Sequence, residues 1–415
     1  MDKSKIRILI LDDEPFMLKL LHHMLDRLGF TELTICDNGM AALDWVAASD
    51  SEHDLILLDL NMPEMDGIEF VRKLTQHGYR GSLVLVSGEN ERVLQMAEKL
   101  IRAHGINVLG HIAKPVSLPE LSVLMETYGQ TPTLAQREDP SYDAADLAKA
   151  ITDDELVIHY QPKVAVTTGE VVGMEALVRW QHPVDGLVFP DQFINLAEEH
   201  GMIDALAQVV LNAALHQIKQ WQLMGLKLCV AINVSMDNLA SLNFVDQVAQ
   251  AVSSIGVAPH DIVLEVTESR LMHNQRVALE VLTRLRLKRF RLSIDDFGTG
   301  HSSLTQLRDI SFDELKIDKS FVHGAWHDET VRAIYDASLG VGKRLGMVVV
   351  AEGVEDQDDW DLLRNTNCDV AQGYFIARPM PAAAVNDWMT SWDERVRNGL
   401  LTSRVTTPQQ RPQGL

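Results

Sequence analysis

The segment Arg291-Leu292-Ser293-Ile294-Asp295-Asp296-Phe297-Gly298-Thr299-Gly300 begins with the pattern of a β-strand and ends with the pattern of a turn. Its first apolar residues alternate, as they do in a strand, and its two glycines favour a tight turn. Neighbouring carboxylates repel each other unless a cation lies between them. Successive side chains of a strand point to opposite faces, so both aspartates can join one cluster only if the chain turns there. By itself, a pair of adjacent aspartates is more often a solvated strand end. Its interpretation as a cation site therefore requires further acidic residues elsewhere in the chain.

The length and composition of the chain limit what it can be. Its 415 residues are enough for two or three domains with apolar cores. No apolar run is long enough to span a membrane, and residues 1–5 do not resemble a signal peptide. The net charge of −22 disfavours nonspecific binding to nucleic acid or to an anionic membrane. Three widely separated cysteines, Cys36, Cys229 and Cys368, indicate reduced thiols, so we expect a cytoplasmic protein.

Apolar runs alternate with helical patterns in the first part of the chain. This alternation predicts a doubly wound, flavodoxin-like parallel sheet. Helices are expected from Pro15 to Leu28 and over 118–128. The predicted strands cover residues 6–11, 55–58, 83–86 and 108–113.

Polar side chains occupy the ends of these predicted strands, where the functional groups of such sheets gather. They are Asp12, Asp13, Asp59, Ser87 and Lys114. Three carboxylates, a hydroxyl group and an ammonium group are suited to binding Mg²⁺ and a phosphoryl group.

This constellation resembles the receiver domain of bacterial two-component response regulators, over residues 1–128. The resemblance implies that Asp59 accepts a phosphoryl group from a cognate sensor histidine kinase. One Mg²⁺ is expected on Asp12, Asp13, Asp59 and Asn61, and the expected switch residues are Ser87 and Lys114. The resemblance also implies a cis bond between Lys114 and Pro115, which only X–Pro bonds adopt easily.

Two features depart from the common receiver pattern. His111 stands where many receivers carry an aromatic switch residue, and the segment from Ser87 to Lys114 is longer than usual. His111 is open to two interpretations, a hydrogen-bonding surface histidine or a pH-sensitive element. A receiver that serves as a docking module and is never phosphorylated stays an alternative.

A second domain is predicted over residues 151–397. Residues 129–150 are predicted to be a linker, because most of this stretch is polar and lacks an apolar period, although a helical pattern resumes at 144–151. About eight strands with interposed helices then predict a (β/α)₈, TIM-like barrel. Since only residues 165–170 join the first two strands, these form a hairpin, and the first strand is expected to run antiparallel. Residues 398–415 are predicted to be a disordered tail.

The expected elements of the barrel follow from the same periodicities. The strands are placed near 156–164, 171–180, 228–234, 262–267, 290–295, 313–317, 347–351 and 370–375. The helices are placed at 191–200, 204–224, 242–255, 274–288, 302–308, 328–345 and 357–365.

Polar side chains again collect at the expected carboxyl ends of the strands. They are Glu175, Asn233, Glu265, Asp295, Asp296, Lys316, Glu352, Glu355 and Gln372. So many carboxylates cannot all be ionised at one site without cations. Ligands that all offer oxygen favour Mg²⁺ or Mn²⁺, and two cations that share an aspartate are suited to phosphoester hydrolysis.

Residues Leu156 to Pro379 resemble the EAL-domain phosphodiesterases, which hydrolyse cyclic di-GMP to linear pGpG. The family signature stands here as Glu175-Ala176-Leu177, followed by Val178-Arg179-Trp180. The resemblance implies one cation on Glu175, Asn233, Glu265 and Asp295, and a second on Asp295, Asp296 and Glu352. It makes Glu352 the candidate general base and Lys316 the residue that orients the attacking water.

The resemblance assigns further roles outside the cation ligands. The expected substrate contacts are Gln161, Leu177, Arg179, Glu355 and Gln372. Glu268 would anchor the loop 297–303, and assembly through this loop favours a homodimer or a higher homo-oligomer. No position of this set departs from the family pattern, so we expect an active enzyme.

The two resemblances together describe a response regulator of the RocR type, in which phosphorylation of Asp59 modulates hydrolysis of cyclic di-GMP. The alternative from another functional class is a barrel that binds cyclic di-GMP or a partner protein without chemistry. From the residue pattern alone, Lys316 could be a solvated lysine at the barrel rim. Asn233 and Gln372 could likewise be hydrogen-bonded core amides.

Overall fold

The computed structural model describes residues 3–48, 55–79, 81–89, 91–128, 142–267, 275–299, 307 and 310–400. The chain divides into two compact units, with the boundary between residues 141 and 142. In the described ranges, no helix combines the length and the apolar character that crossing a lipid bilayer requires.

The first unit is built on a parallel sheet. Its strands are β1 (Arg7–Leu11), β2 (Glu32–Cys36), β3 (Leu55–Asp59), β4 (Ser82–Ser87) and β5 (Asn107–Ala113). Its helices are α1 (Pro15–Arg27), α2 (Gly39–Ala48), α3 (Gly67–Gln76), α4 (Glu91–Ala103) and α5 (Leu118–Tyr128). The strand order is β2-β1-β3-β4-β5 and every pairing is parallel. The prediction of a flavodoxin-like, doubly wound sheet is therefore confirmed.

The alternation of side chains along β1 creates two separate apolar cores. Ile8 and Ile10 pack into the cluster on one face of the sheet, and Leu9 and Leu11 pack into the cluster on the other. Strand β2 was not among the predicted strands. It is the edge strand and is only partly buried, so it lacks the continuous apolar run on which the other predictions rest.

The second unit is a barrel. Its strands are β6 (Leu156–Ala165), β7 (Val171–His182), β8 (Gly186–Val188), β9 (Cys229–Val234), β10 (Ile262–Thr267), β11 (Arg291–Phe297), β12 (Glu314–Ile317), β13 (Val348–Ala351), β14 (Val370–Ala371) and β15 (Met380–Pro381). The strands β7, β9, β10, β11, β12, β13 and β14 pair in parallel in this order. Strand β6 closes the barrel by pairing antiparallel with both β7 and β14. The predicted barrel with an antiparallel first strand is confirmed.

Helices surround the barrel. They are α6 (Ala144–Thr152), α7 (Ile194–Glu199), α8 (Ile203–Leu223), α9 (Met236–Ala240), α10 (Phe244–Ile255), α11 (Gln275–Leu287), α12 (Lys319–Val322), α13 (Glu329–Arg344), α14 (Gln357–Thr366) and α15 (Val385–Arg395). The helix predicted over 302–308 lies outside the described residues, apart from Leu307, which is helical.

Both ends of the barrel unit extend beyond the predicted limits. Helix α6 overlaps the predicted linker, and its residues Leu147 and Ala150 are fully buried in the core of the barrel unit. At the other end, residues 396–400 continue as a helical turn, and Leu400 is buried. The first three residues of the predicted tail are therefore ordered by packing, whereas residues 401–415 lie outside the described ranges.

Candidate active site

Three carboxylates converge at the carboxyl ends of neighbouring barrel strands. Asp295 and Asp296 belong to β11, and Glu352 follows β13. One carboxylate oxygen of each residue lies within 4.8 Å of the others. The parallel strands β11, β12 and β13 lie side by side, so their ends present these groups to one point.

The two aspartates reach the same cluster because the backbone bends at Asp296. Its φ of 54° is a left-handed conformation, uncommon for a residue with a side chain. Its N–H donates to Oδ1 of Asp295 over 3.0 Å. The sequence pattern attributed the turn to Gly298 and Gly300. The structure instead begins it at Asp296, within β11, and continues it at Gly298, whose φ is 100°.

Lys316 is the cationic centre of the site. Its side chain is 1% exposed, and its Nζ atom lies close to four carboxylates. The distances are 2.7 Å to Glu352, 2.8 Å to Glu265, 3.0 Å to Asp295 and 3.8 Å to Glu175. Lys316 is therefore not a solvated rim lysine, and one ammonium group neutralises part of a dense acidic cluster.

The surroundings shift the pKa values of these groups in opposite directions. Burial, together with the neighbouring Asp295 and Glu175, raises the pKa of Glu352 to about 8. Burial alone would raise the pKa of Glu265 as well, but the two lysines Lys163 and Lys316 lower it to about 2. Glu265 is thus held as a carboxylate, whereas Glu352 can exchange a proton near neutral pH.

A chain of side-chain amides fixes Glu175. Asn233 donates to Oε1 of Glu175 over 2.8 Å, and Gln372 donates to Oε2 over 2.6 Å. Gln372 also donates to Gln161 over 3.0 Å, and Gln161 donates to the carbonyl oxygen of Ala377. The amides therefore serve the acidic site and are not isolated core groups.

A cavity of about 210 Å³ opens beside the carboxylates. It is lined by Gln161, Glu175, Leu177, Lys319, Glu352, Gly353, Glu355, Gln372, Gly373 and Tyr374. Four of the five predicted substrate contacts are in this set. The fifth, Arg179, is not among the described lining residues. It is largely buried, donates to the carbonyl oxygen of Val178, and places its guanidinium group 5.0 Å from the ring centre of Phe189.

The donor set is suited to hard divalent cations. Asp295, Asp296 and Glu352 offer oxygen atoms at mutual distances that one cation could bridge. Burial and the neighbouring charges of Asp295 and Asp318 raise the pKa of Asp296, which is the effect that a bound cation would relieve. The predicted loop anchor Glu268 lies outside the described residues.

Lys163 and Glu314 were not singled out from the sequence. Lys163 Nζ lies 2.6 Å from Oε1 of Glu265 and 3.6 Å from Glu314, and all three side chains are buried. A signal for Lys163 was present, since it follows Gln161 by two positions on β6 and so faces the same side of the strand.

The receiver unit also assembles its predicted site. One oxygen from each of Asp12, Asp13 and Asp59 lies within 4.8 Å of the others. Lys114 Nζ lies 2.7 Å from Asp59 and 2.9 Å from Asp12. Burial raises the pKa of Asp12, and the ammonium group of Lys114 opposes this shift.

The other predicted receiver residues surround this cluster. The backbone N–H of Asn61 donates to Asp59 over 3.1 Å, and the N–H of Lys114 donates to the carbonyl oxygen of Ser87 over 2.8 Å. The bond between Lys114 and Pro115 is cis, as expected. His111 lies on β5 with Nδ1 3.3 Å from Glu98 of α4, so it links these two elements.

Comparison with known proteins identifies both units. Residues 144–379 match the family model of the EAL domain, and residues 8–126 match that of the response regulator receiver domain. The chain is 30% identical over 388 residues to the cyclic di-GMP phosphodiesterase RocR of Pseudomonas aeruginosa, a match that covers 91% of this chain and 97% of RocR.

Other relatives share the barrel unit. The cyclic di-GMP phosphodiesterase NbdA of Pseudomonas aeruginosa is 42% identical over 248 residues, which are 60% of this chain and 32% of NbdA. The chain thus spans about a third of the length of NbdA. The solved structure of the PaMucR phosphodiesterase in complex with c-di-GMP is 39% identical, with a TM-score of 0.56. This match covers 58% of our chain and 98% of that one.

The family models cover both structural units, and one relative matches along nearly its whole length. The chain therefore belongs to the EAL domain family and carries a response regulator receiver domain ahead of its EAL domain.

Proposed function

We propose that this chain is a response regulator that hydrolyses cyclic di-GMP to linear pGpG in its barrel, at a rate that phosphorylation of Asp59 modulates. The observation that carries the proposal is the position of Glu352. It belongs to the carboxylate cluster with Asp295 and Asp296 and also lines the cavity. A proton acceptor, cation ligands and room for a substrate thus meet at one point.

The relatives support the choice of substrate. RocR and NbdA are both named cyclic di-GMP phosphodiesterases, and the PaMucR structure is a complex with c-di-GMP. The chain retains every residue that its family resemblance requires, including the Glu175-Ala176-Leu177 signature. This complete set favours an enzyme over a barrel that only binds.

Two cations, Mg²⁺ or Mn²⁺, are assigned to the barrel. Glu175, Asn233, Glu265 and Asp295 would hold one of them, and Asp295, Asp296 and Glu352 would hold the other. When bound, the cations neutralise phosphoryl oxygens and lower the pKa of the attacking water.

The side chains around the cations are assigned to proton transfer and to orienting the general base. Glu352 is assigned to accept the proton of the attacking water, because it belongs to the carboxylate cluster and also lines the cavity. Lys316 holds Glu352 over 2.7 Å and so fixes the direction of its carboxylate. As the water oxygen bonds to phosphorus, one P–O ester bond breaks, and the leaving sugar oxygen takes up a proton from a solvent water molecule.

The cavity wall positions the substrate. Gln161, Leu177, Glu355 and Gln372 line the cavity and are assigned to substrate contacts. Arg179 is assigned to a phosphate, since its planar group suits two phosphate oxygens. In its present orientation it contacts Val178 and Phe189, so this role requires the side chain to turn.

The receiver is assigned a regulatory role. A sensor histidine kinase would phosphorylate Asp59 with one Mg²⁺ on Asp12, Asp13, Asp59 and Asn61, and Ser87 and Lys114 would respond as switch residues. The 2.7 Å contact between Lys114 and Asp59 supports this assignment, because an ammonium group stabilises the added phosphoryl oxygens. Assembly into a homodimer or higher oligomer through the loop 297–303, anchored by Glu268, completes the proposal.

The test measures hydrolysis of cyclic di-GMP by the full-length protein in Mg²⁺, with and without beryllofluoride, which imitates the phosphoryl group. We expect pGpG as the product, a rate that beryllofluoride changes, and no turnover by Glu352→Gln. A hydrolysis rate that beryllofluoride does not change would refute the regulatory role of the receiver but would still support the proposed hydrolase. If cyclic di-GMP binds measurably but stays intact under both conditions, the result would favour a barrel that binds cyclic di-GMP without chemistry.

A further inference from the structure

Charged side chains alternate in sign through the interior of the barrel. From the catalytic end inward they are Lys316, Glu265, Lys163 and Glu314, and all four are buried. Glu314 lies two residues before Lys316 on β12, so it is nearer the amino end of the parallel strands. The function proposed above uses Lys316 and Glu265 but gives no role to Lys163 or Glu314.

Lys163 holds the side of the Glu265 carboxylate that faces away from Lys316. Its Nζ atom lies 2.6 Å from Oε1 of Glu265, whereas Lys316 lies 2.8 Å from Oε2. A carboxylate held on both oxygens cannot rotate about its terminal bond without losing a charged hydrogen bond. Glu314, 3.6 Å from Lys163, supplies a balancing negative charge.

We propose that Lys163 is a positioning residue of the cation site: it binds Oε1 of Glu265 and thereby keeps Oε2 directed toward the catalytic cluster. The inference rests on the proposed function to the extent that Glu265 is a cation ligand. Lys163 contacts neither the cavity nor the cluster of Asp295, Asp296 and Glu352 directly among the described residues, so it acts through Glu265. Side chains that orient a cation ligand commonly affect affinity or activity by about 10–100-fold.

The direction in which cation affinity changes when Lys163 is removed distinguishes a positioning role from simple charge balance. A second ammonium group near the site repels a divalent cation. If Lys163 only balanced charge, its removal would leave cation affinity unchanged or tighten it. If Lys163 positions Glu265, its removal loosens the cation although a repulsive charge is gone.

The experiment measures Mn²⁺ binding in the absence of cyclic di-GMP, from the electron paramagnetic resonance signal of free Mn²⁺. All proteins are full length and carry Asp12→Asn and Asp13→Asn, so that the receiver contributes no site. The test variant combines Lys163→Met with Glu314→Gln, which removes one charge of each sign. The matched control is Glu314→Gln alone, and each variant is first checked for a cooperative thermal transition.

We expect the test variant to bind Mn²⁺ at least about 10-fold more weakly than the control, and kcat to fall more than KM rises. Equal or tighter Mn²⁺ binding would overturn the proposal. If Lys163→Met prevents folding, Lys163→Gln with Glu314→Gln takes its place under the same criterion. If the wild-type protein binds Mn²⁺ but leaves cyclic di-GMP intact, the proposed hydrolase is contradicted, and the Mn²⁺ affinities of the test and control variants still decide the role of Lys163.

Discussion

Nζ of Lys316 lies 2.7 Å from Oε1 of Glu352, which ties the end of β12 to the end of β13 inside the barrel. The lysine is buried, and the raised pKa of its ammonium group keeps it charged because the surrounding acids outweigh the cost of burial. The contact therefore joins the proposed general base to the centre of the acidic cluster. Both the geometry and the charge balance of the site depend on this lysine.

Replacing Lys316 with methionine should stop catalysis and weaken the fold. Turnover of cyclic di-GMP is expected to fall by about 10²–10³-fold, because a preorganised charged group is lost from the reacting centre. Without divalent cations, the free energy of unfolding should fall by about 3–5 kcal/mol, since buried carboxylates lose their partner. Kinetics in Mg²⁺ and urea denaturation measure the two effects. Lys343→Met removes an ion pair of partly exposed groups and should preserve turnover; an equal loss there would refute the specific role of Lys316.

Gly353 should tolerate no side chain. Its φ of 64° already disfavours other residues by about 1–2 kcal/mol, and a Cβ atom would collide with the side chain of Lys319. Relief of this collision displaces the neighbouring Glu352, so Gly353→Ala should lower kcat about 10²-fold.

Gly346 provides the control for backbone strain alone. Its φ is 73°, yet an added Cβ would meet no atom of the described residues within 4 Å. Gly346→Ala should therefore reduce the thermal midpoint without a matching loss of kcat. Equal kcat values for the two variants would show that the contact with Lys319 does not position Glu352.

His323 should make stability depend on pH. Its Nδ1 atom lies 2.8 Å from Oδ2 of the buried Asp359, and this hydrogen bond raises the pKa of the imidazole. Because the folded-state pKa is raised, the stabilisation is complete below the unfolded value of about 6.5 and is lost as pH rises through the folded value. The stability difference between wild type and His323→Ala should be largest near pH 6, at about 0.2–1 kcal/mol, as for other exposed pairs.

A double-mutant cycle isolates this effect. In an Asp359→Asn background, the His323→Ala change should lose its pH dependence, as measured by urea denaturation between about pH 6 and 8.5. A pH dependence that persists without the carboxylate would assign the effect to another partner of His323.

Asp59→Asn should abolish phosphorylation of the receiver. Incubation with acetyl phosphate and Mg²⁺ is expected to add one phosphoryl group to the wild type and none to the variant, as measured by the mass of the intact protein. Asp44→Asn, a change at an exposed aspartate of α2, should be phosphorylated like the wild type. Phosphorylation of Asp59→Asn at the wild-type level would place the acceptor elsewhere.

The sequence predicted those features that depend on strong local patterns. Buried strands that end in charged residues, such as the one that ends at Asp59, indicated both sheets and the polar groups at their ends. In a parallel sheet the carboxyl ends share one edge, so the convergence of Asp295 and Glu352 followed from topology. The partly buried edge strand β2 lacked such a pattern and was missed.

Features that depend on the closed barrel could not be predicted in the same way. The burial of Lys163 requires β6 to lie between β7 and β14, and a lysine on a strand is otherwise commonly solvated. The left-handed backbone of Asp296 also departs from local preference, because glycines stood two and four positions later. For Lys163, the long-range pairing of β6 outweighs what a short segment prefers.

The antiparallel strand β6 has a consequence for synthesis on the ribosome. Its hairpin with β7 can form early. Its other edge pairs with β14 and β15, whose residues come more than two hundred positions later in the sequence. Contacts so distant in sequence form slowly and late. A nascent chain that ends before Val370 therefore exposes an unpaired edge of β6, which other chains could join. Timely completion of the barrel is thus a condition for keeping the newly made protein free of aggregation.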